Sequence, residues 1–129
     1  MKQTFDKSER LCSKKIIDRL FEKGSTEVKT FYLFPFKVFY IVESSPTDFT
    51  ASQVLFSVSK RNFKRAVARN LLRRRCREAY RKNKYLLSPS STQILPMYMA
   101  FVLIAKEEVS YAQIEKSMQK ILKQIATNI

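Results

Sequence analysis

The chain is 129 residues long and carries 25 Lys or Arg against 11 Asp or Glu, a formal net charge of +14 with no histidine. A chain of this length is expected to fold as one domain around one modest core. So strong a positive charge indicates a polyanionic partner, with nucleic acid favoured over an anionic membrane. Gly24 is the only glycine, which excludes the glycine-rich loops that cradle nucleotide phosphates.

The two cysteines, Cys12 and Cys76, cannot form a zinc module without histidine or further cysteines. Both lie in helical patterns and are predicted to be reduced thiols. Residues 1–14 contain no continuous apolar core, so no signal peptide is expected. No uncharged run reaches membrane-spanning length, and the protein is predicted to be cytoplasmic.

The N-terminal part of the chain predicts an irregular start followed by a short helix. Residues 1–12 are polar and predict irregular structure, with both folding and disorder left open for residues 1–8, and residues 14–23 carry a helical apolar stripe. Ser13 would cap the N-terminus of this helix, and Gly24 would follow its C-terminus. Residues 31–43, FYLFPFKVFYIVE, are aromatic and β-branched and predict a strand.

This aromatic strand contains Pro35, which has no backbone N–H, so we expect an edge strand or a bulge there. Residues 50–59, TASQVLFSVS, predict a second strand that pairs with the first as an antiparallel hairpin across a turn at 44–49. Alternation predicts rings on both faces of the first strand. One face would hold Tyr32, Phe34, Phe36, Val38 and Tyr40, and the other Phe31, Leu33, Lys37 and Phe39.

The most informative segment is residues 60–84, KRNFKRAVARNLLRRRCREAYRKNK, with twelve Lys or Arg and one acid, Glu78. Its net charge of +11 accounts for most of the +14 of the chain. Interleaved alanines and leucines predict an amphipathic helix and not a loose tail. Arginines spaced by four residues would form one ridge on it: Arg69, Arg73, Arg77 and Arg81. Arg75 falls within the apolar face, so either its stem lies along the sheet edge or the helix is locally rotated.

The C-terminal part predicts a strand and a helix. Residues 97–105, MYMAFVLIA, are a continuous apolar run typical of an interior strand. Ser110 would cap the last helix, with Gln113 completing a capping box. The buried stripe of this helix would be Tyr111, Ile114, Met118, Ile121, Leu122 and Ile125. The element order, roughly α-β-β-(β)-α-β-α, predicts the α+β class, a single-domain α-β sandwich spanning residues 1–129.

The sequence supports RNA binding by the basic helix better than it supports several alternative functions. One acid cannot neutralise twelve cations, which disfavours a solvated face without a partner. A membrane-surface helix would need larger apolar anchors than alanines and two leucines. A helix-turn-helix would need a helix where a strand is predicted. Arginine at nearly every outward position favours phosphate tracking and shape recognition. Rings of residues 31–40 could stack unpaired bases, with core packing as the alternative for any one ring.

The order of residues in this segment closely resembles the signature of the bacterial ribonuclease P protein subunit. The matching residues are Val58-Ser59-Lys60-Arg61, Ala66-Val67-Ala68-Arg69-Asn70, Arg73-Arg74, Arg77, Ala79 and Tyr80. Weaker flanking matches are Arg10-Leu11, Ile17, Phe21 and Gly24 near the N-terminus, and AFVLIAK at residues 100–106. The resemblance covers about residues 9–125.

The resemblance implies a left-handed crossover around the arginine-rich helix, an exception to the usual hand. It also implies binding to a large catalytic RNA that, with the protein, removes the 5′ leader of precursor tRNA. The RNA-binding candidates that match the signature are Lys60, Arg61, Arg69, Asn70, Arg73, Arg74 and Arg77. Lys64 and Arg65 add charge in the loop before the helix, and Arg81 is a further candidate because it belongs to the arginine ridge. A cleft between the sheet and the first helix would hold the leader, lined by Ile17, Phe21, Tyr32, Phe34 and Phe36. Leu71 stands where the family usually has arginine, and we hypothesise that Arg75 compensates.

The polypeptide alone is not expected to be a nuclease, because it has no histidine and its eleven acids are scattered. The resemblance implies that RNA and its magnesium perform the endonucleolytic step and that the protein itself binds no cofactor. The expected partners are ribonuclease P RNA and precursor tRNA, with no membrane and no small-molecule substrate. The alternatives are a structural RNA-binding protein of ribosomal type and a nucleoid-type DNA binder.

Overall fold

The structure is a computed structural model that describes residues 10–11, 14–22, 28–42, 53–87 and 97–128. Its elements are α1 (Lys14–Leu20), β1 (Lys29–Leu33), β2 (Phe36–Val42), β3 (Gln53–Val58), α2 (Ala66–Asn83), a 3-10 helix (Lys84–Leu87), β4 (Met97–Leu103) and α3 (Tyr111–Asn128). Within these ranges they form a mixed α+β domain with one four-stranded sheet and three α-helices, which confirms the predicted class.

The sheet has the strand order β1-β2-β4-β3. β2 pairs antiparallel with both β1 and β4, and β4 pairs parallel with β3. The predicted interior strand is confirmed, because β4 lies between two partners. The predicted hairpin between the segments at 31–43 and 50–59 is wrong, since the apolar β4 separates them. α2 is therefore the crossover between parallel neighbours, and its hand stays a prediction.

The segment predicted as one aromatic strand is itself a hairpin. Leu33 pairs with Phe36 across a two-residue turn in which the Phe34–Pro35 peptide is cis. Proline fits this turn because the position needs no backbone donor. In this register Tyr32 of β1 is the direct cross-strand partner of Lys37 of β2. The two side chains therefore project from the same face of the sheet. The predicted sharing of a face by Tyr32 and Phe36 is therefore wrong.

α2 and α3 cover one face of the sheet and form the main core with it. Aromatic rings fill the centre of this core, where Phe101 lies 5.8 Å from Phe36 and 5.5 Å from Phe56, measured between ring centres. The other face carries a smaller core of Leu11, Leu20, Ile41 and Ala100 under α1. Because α1 has only seven residues, much of this second face remains half-buried.

The N-cap and the buried stripe predicted for the last helix are confirmed. The Ser110 Oγ accepts a hydrogen bond of 3.3 Å from the Gln113 N–H, as expected of an N-cap. The predicted stripe is buried except at Tyr111, which is half-buried. The helix predicted over 14–23 is observed as α1, Lys14–Leu20.

Several predictions fall outside the described residues: irregular structure over 1–8, Cys12, the capping roles of Ser13 and Gly24, and the turn at 44–49. Cys76 is described, and it is a free, buried thiol, as predicted. Burial raises its pKa to about 12, which leaves it unreactive. Among the described helices, none combines the length and apolar character needed to cross a bilayer.

Candidate nucleic-acid interface

α2 is amphipathic in the way that the sequence predicts. Its buried residues are Leu72, Cys76, Ala79, Tyr80 and Asn83, which pack into the main core or against α3. Removing these apolar side chains from water anchors the helix in spite of repulsion among its arginines. The outer face consequently presents guanidinium groups to solvent, and Arg74 and Arg77 are exposed.

The basic side chains of α2 differ in whether they have hydrogen-bond or ion-pair partners within the protein. Arg74 and Arg77 make no hydrogen bond or ion pair with any residue in the described ranges. The Arg73 Nη1 donates a 3.0 Å hydrogen bond to the Asn70 Oδ1, one helical turn earlier. Asn70 thus orients Arg73 and leaves its charge uncompensated. These four residues are a compact polar surface suited to phosphate groups.

The basic loop, which we define as residues 59–65, precedes α2. Phe63 is buried and holds the loop to the core, and its N–H donates a 3.0 Å hydrogen bond to the Ser59 carbonyl. The Arg69 Nη1 donates to the carbonyls of Phe63 and Lys64, at 2.8 and 2.9 Å. The exposed cations of the loop are Lys60, Arg61, Lys64 and Arg65. The structure thus brings these loop cations next to the first turn of α2.

Arg81, the last member of the predicted ridge, is engaged within the helix. It forms a bidentate ion pair with Glu78, and the Lys82 Nζ lies 3.9 Å from the same carboxylate. The hydrogen bond from Arg81 lowers the pKa of Glu78 and raises the pKa of Arg81. Arg81 is therefore less available to an external phosphate than Arg74 or Arg77.

Arg75 has a role that the sequence did not predict. Its Nη1 donates a 2.8 Å hydrogen bond to the Val109 carbonyl and forms a 2.9 Å ion pair with the Glu108 carboxylate. The side chain is 25% exposed and ties α2 to the segment before α3. Its guanidinium has intramolecular partners, which gives it a structural role, and the hypothesised compensation for Leu71 stays a prediction. The only sequence signal was its position on the apolar face.

A second surface lies beside α1, on the opposite face of the sheet. We define the α1-side surface as Ile17, Phe21, Tyr32, Lys37 and Phe39. The Phe21 and Phe39 rings meet edge to face, with centres 4.9 Å apart. The Lys37 Nζ lies over the rings of Tyr32 and Phe39, at 5.2 and 5.0 Å from their centres. Tyr32 is 65% exposed and Phe21 39% exposed, so rings and one ammonium face solvent together.

Two residues predicted to line a cleft here lie elsewhere. Phe36 was predicted wrongly, because it is fully buried on the α2 and α3 face and packs against Phe101. Phe34 is 60% exposed, but it lies in the β1–β2 turn and lines a cavity of about 480 Å³ with the segment before α3. The sequence missed Lys37 and Phe39, because the hairpin at Pro35 reverses the alternation that an unbroken strand would have.

The described ranges contain no group of three or more His, Cys, Asp or Glu side chains that could hold a metal ion. The features that remain are a basic helix with its loop on one side and an aromatic, cationic surface on the other. They define the class of protein, a small α+β domain with a strongly basic helix as the crossover between parallel strands.

Comparison with known proteins identifies the family. The sequence model of the family Ribonuclease P matches residues 5–126. The ribonuclease P protein component of Porphyromonas gingivalis is 38% identical over 125 residues, which cover 95% of this chain and 87% of the relative. That of Petrotoga mobilis is 31% identical over 130 residues, covering 95% of this chain and 96% of the relative. The chain therefore belongs to the ribonuclease P protein family.

Solved structures agree on the fold. The RNase P protein of Staphylococcus aureus superposes with a TM-score of 0.68 at 20% identity, covering 90% of this chain and 94% of that one. The RNase P protein of Thermotoga maritima gives 0.68 at 21% identity, covering 91% and 97%. Membership of the family implies a role in tRNA processing as a component of ribonuclease P, with an RNA partner.

Proposed function

We propose that this protein binds the catalytic RNA of ribonuclease P through α2 and the basic loop, and binds the 5′ leader of precursor tRNA through the α1-side surface. The observation that carries the proposal is the set of exposed cations on α2 and the basic loop with no acidic partner in the described ranges: Lys60, Arg61, Lys64, Arg65, Arg74 and Arg77. A phosphate backbone would neutralise this charge, whereas nothing within the described protein does.

The arrangement of these cations supports recognition of RNA by its backbone and shape. The arginines of α2 offer planar forks that match phosphate oxygens in two hydrogen bonds. Apart from arginine, the outer face of the helix carries few side chains that could form hydrogen bonds with base edges. Recognition of a particular base sequence is therefore not expected. Asn70 and Arg73, joined by their hydrogen bond, add one ordered polar contact to this surface.

The α1-side surface supports binding of a single-stranded segment. The exposed ring of Tyr32 and the edge-to-face pair of Phe21 and Phe39 can stack on unpaired bases. The Lys37 ammonium between these rings can meet the backbone that joins the bases. Because this surface and α2 lie on opposite faces of the sheet, one protein can engage both the catalytic RNA and the leader.

We place the cleavage chemistry in the RNA partner with its magnesium, and the protein in a binding role in the cytoplasm. The absence of histidine and the scattering of eleven acids along the chain support this division. The protein would neutralise phosphates and hold the leader, which would lower the magnesium requirement. A structural RNA-binding protein with no role in cleavage is the competing proposal.

Reconstitution tests the proposal. The protein is mixed with a bacterial ribonuclease P RNA and a precursor tRNA at low magnesium, and release of the 5′ leader is followed. We expect cleavage with protein and RNA together and none with the protein alone. Tight binding to ribosomal RNA without rescue of any of several ribonuclease P RNAs would favour the structural binder.

A charge-matched pair of variants shows whether the rescue depends on α2. The triple variant Arg73→Gln, Arg74→Gln, Arg77→Gln removes three cations from the proposed RNA surface. The triple variant Lys116→Gln, Lys120→Gln, Lys123→Gln removes three exposed cations from α3. The α2 variant is expected to lose rescue and the α3 variant to keep most of it, although their net charges are equal.

A further inference from the structure

We propose that Arg69 is a positioning residue, whose guanidinium clamps the basic loop to the first turn of α2 and so fixes the loop cations for RNA. This inference rests on the proposed function and deepens it, because it assigns Arg69 a task other than direct phosphate binding. The sequence alone placed Arg69 in the same ridge as Arg73 and Arg77, as one of several equivalent phosphate contacts.

The geometry around Arg69 is that of a clamp. Its Nη1 carries two hydrogens, and the hydrogen bonds to the carbonyls of Phe63 and Lys64, at 2.8 and 2.9 Å, use both. Its own backbone N–H donates to the Arg65 carbonyl at 3.2 Å. Arg69 is half-buried, whereas Arg74 and Arg77 are exposed. The side chain is thus turned toward the backbone of the loop.

The loop needs such a clamp because little else orders its C-terminal end. Arg65 at the N-cap of α2 makes no side-chain capping hydrogen bond, and the first turn of the helix has no acid. The other ties lie earlier in the loop, where the Ser59 Oγ accepts from the Arg61 N–H at 3.0 Å and Phe63 enters the core. Arg69 extends this support past Phe63 to Lys64, at the end of the loop that the other contacts leave free.

Fixing the loop matters because its four exposed cations repel one another. Lys60, Arg61, Lys64 and Arg65 all face solvent within six residues of one another. A loop that is already ordered loses less conformational freedom when it binds RNA. Arg69 would act through these four charges, and disordering the loop would weaken all of them together.

Lysine at position 69 separates charge from clamping. Its ammonium keeps the positive charge but is a single point on a flexible stem, and it cannot reproduce the planar fork on two carbonyls. We expect Arg69→Lys to weaken binding of ribonuclease P RNA about tenfold, which should be most of the loss that Arg69→Ala would cause. At Arg74, which has no clamping contact in the described ranges, the lysine variant would lose only the planar contact with phosphate, so it should cost clearly less affinity than Arg69→Lys.

A double-mutant cycle tests whether Arg69 acts through the loop. The cycle combines Arg69→Lys with removal of all four loop cations, by Lys60→Gln, Arg61→Gln, Lys64→Gln and Arg65→Gln, and measures RNA affinity by titration. If Arg69 positions these cations, Arg69→Lys should cost about tenfold in the parent but less than about threefold in the loop-neutral background. Equal costs in both backgrounds, or an Arg69→Lys variant that binds like the parent, would overturn the clamp.

Amide hydrogen exchange of the free, full-length protein gives an independent reading. Arg69→Lys should speed exchange at loop amides such as that of Phe63, while amides at the buried end of α2 stay protected. Unchanged loop exchange would overturn the inference even if RNA binding fell. This measurement needs no RNA, so it tests the clamp independently of the proposed function. If the parent protein failed to bind ribonuclease P RNA, the proposed function would be wrong, and hydrogen exchange would still show whether Arg69 orders the loop.

A second variant keeps the test decisive if Arg69→Lys does not fold. Ser59→Ala removes only the hydroxyl that accepts from the Arg61 N–H, at the other end of the loop. If loop order governs affinity, Ser59→Ala should also speed loop exchange and weaken RNA binding, with no change in charge. Faster exchange with parental affinity would show that loop order is not used in binding.

Discussion

The Lys37 ammonium lies 5.2 Å from the centre of the Tyr32 ring, across the β1–β2 hairpin. The two residues are directly paired in the sheet, so a backbone register and a cation–π contact fix the same geometry. Tyr32 remains 65% exposed in spite of this contact. A ring held in place and still open to solvent is suited to stack on a base with little loss of conformational freedom.

Removing this ring should weaken the hold on the leader. We expect Tyr32→Ala to lower the affinity of the reconstituted holoenzyme for precursor tRNA by about 1–3 kcal/mol, the range seen for one base–aromatic stack. Affinity for mature tRNA, which has no leader, should not change. The measurement is a pair of binding titrations with the two tRNAs, and Tyr32→Phe should keep most of the affinity.

Phe34→Ala is the matched control for this prediction. Phe34 is 60% exposed and only two residues away, but its ring lines the cavity before α3 and not the α1-side surface. We expect Phe34→Ala to leave discrimination between precursor and mature tRNA unchanged. Equal losses from both variants would contradict the assignment of the leader to the α1-side surface.

Glu78 is the acidic residue of α2, and its carboxylate pairs with the side chains of Arg81 and Lys82. Replacing it by glutamine should release Arg81 and Lys82 from their shared carboxylate. If they then reach phosphates, the dependence of log affinity on log salt should steepen by about 0.7–0.9 per added contact. Titrations at several salt concentrations measure this slope, and Glu107→Gln, which removes an exposed acid outside α2, is the control. An unchanged slope for Glu78→Gln would place this end of α2 away from the RNA.

The same substitution should change stability in acid. Because the hydrogen bond from Arg81 lowers the pKa of Glu78 in the fold, its contribution to stability is present above the unfolded pKa and is lost as pH falls through the folded one. This pair lies at the surface, where solvent screens the charges, so its contribution to stability is small. The stability gap between the parent and Glu78→Gln should therefore be small at neutral pH and vanish in strong acid.

The helices were predictable because their signals are local. Seven residues of α1, the capping serine of α3 and the apolar stripes of α2 and α3 can each be read within one or two turns of sequence. β4 was recognisable as an interior strand because a continuous apolar run needs cover on both faces. The RNA-binding candidates on α2 followed from the helical period and the family resemblance.

The pairing of the strands was not predictable from local signals. Antiparallel pairing of β1 with β2 depends on a two-residue turn at Pro35, a residue that also fits a bulge or an edge. That turn decides whether Tyr32 shares a face with Phe36 or with Lys37, and the wrong choice put a buried ring in the predicted cleft. The contacts of Arg69 and Arg75 are with backbone carbonyls, which no side-chain pattern reveals.

Tyr111 makes the packing of α3 on α2 sensitive to alkaline pH. Its hydroxyl donates a 3.1 Å hydrogen bond to Glu115, which also accepts from the buried Asn83 at 3.2 Å. Burial, then the bond to Glu115, raises the pKa of Tyr111 to about 12. Since an unfolded tyrosine has a pKa of about 10, this group stabilises the fold below about pH 10 and ceases to do so as pH rises toward 12.

Tyr111→Phe should therefore cost about 1 kcal/mol at pH 8, where the phenol is neutral and hydrogen-bonded. The difference from the parent should shrink between pH 10 and about 12, because only the parent must then keep a neutral phenol. Urea unfolding at each pH measures the difference, and Tyr85→Phe, at an exposed ring, is the control. A gap that stays constant up to pH 12 would contradict the raised pKa.

Arg75 provides a test of structural against RNA-binding roles within one helix. Arg75→Leu removes the 2.8 Å hydrogen bond to Val109 and the 2.9 Å ion pair with Glu108. We expect a loss of about 1 kcal/mol in unfolding free energy, discounted for partial exposure, and a melting temperature lower by a few degrees. RNA affinity should fall only slightly, by the amount expected when one positive charge that does not contact RNA is removed, because the guanidinium is turned toward α3.

Glu108→Gln separates the two contacts of Arg75, since it removes the ion pair and leaves the Val109 carbonyl in place. It should cost less stability than Arg75→Leu, and it should not weaken RNA binding, because it removes a negative charge. An Arg75→Leu variant with parental stability and strongly reduced RNA affinity would reverse the assignment. Arg75 would then supply the phosphate contact that Leu71 lacks, and its bonds to the α3 approach would be broken when RNA binds.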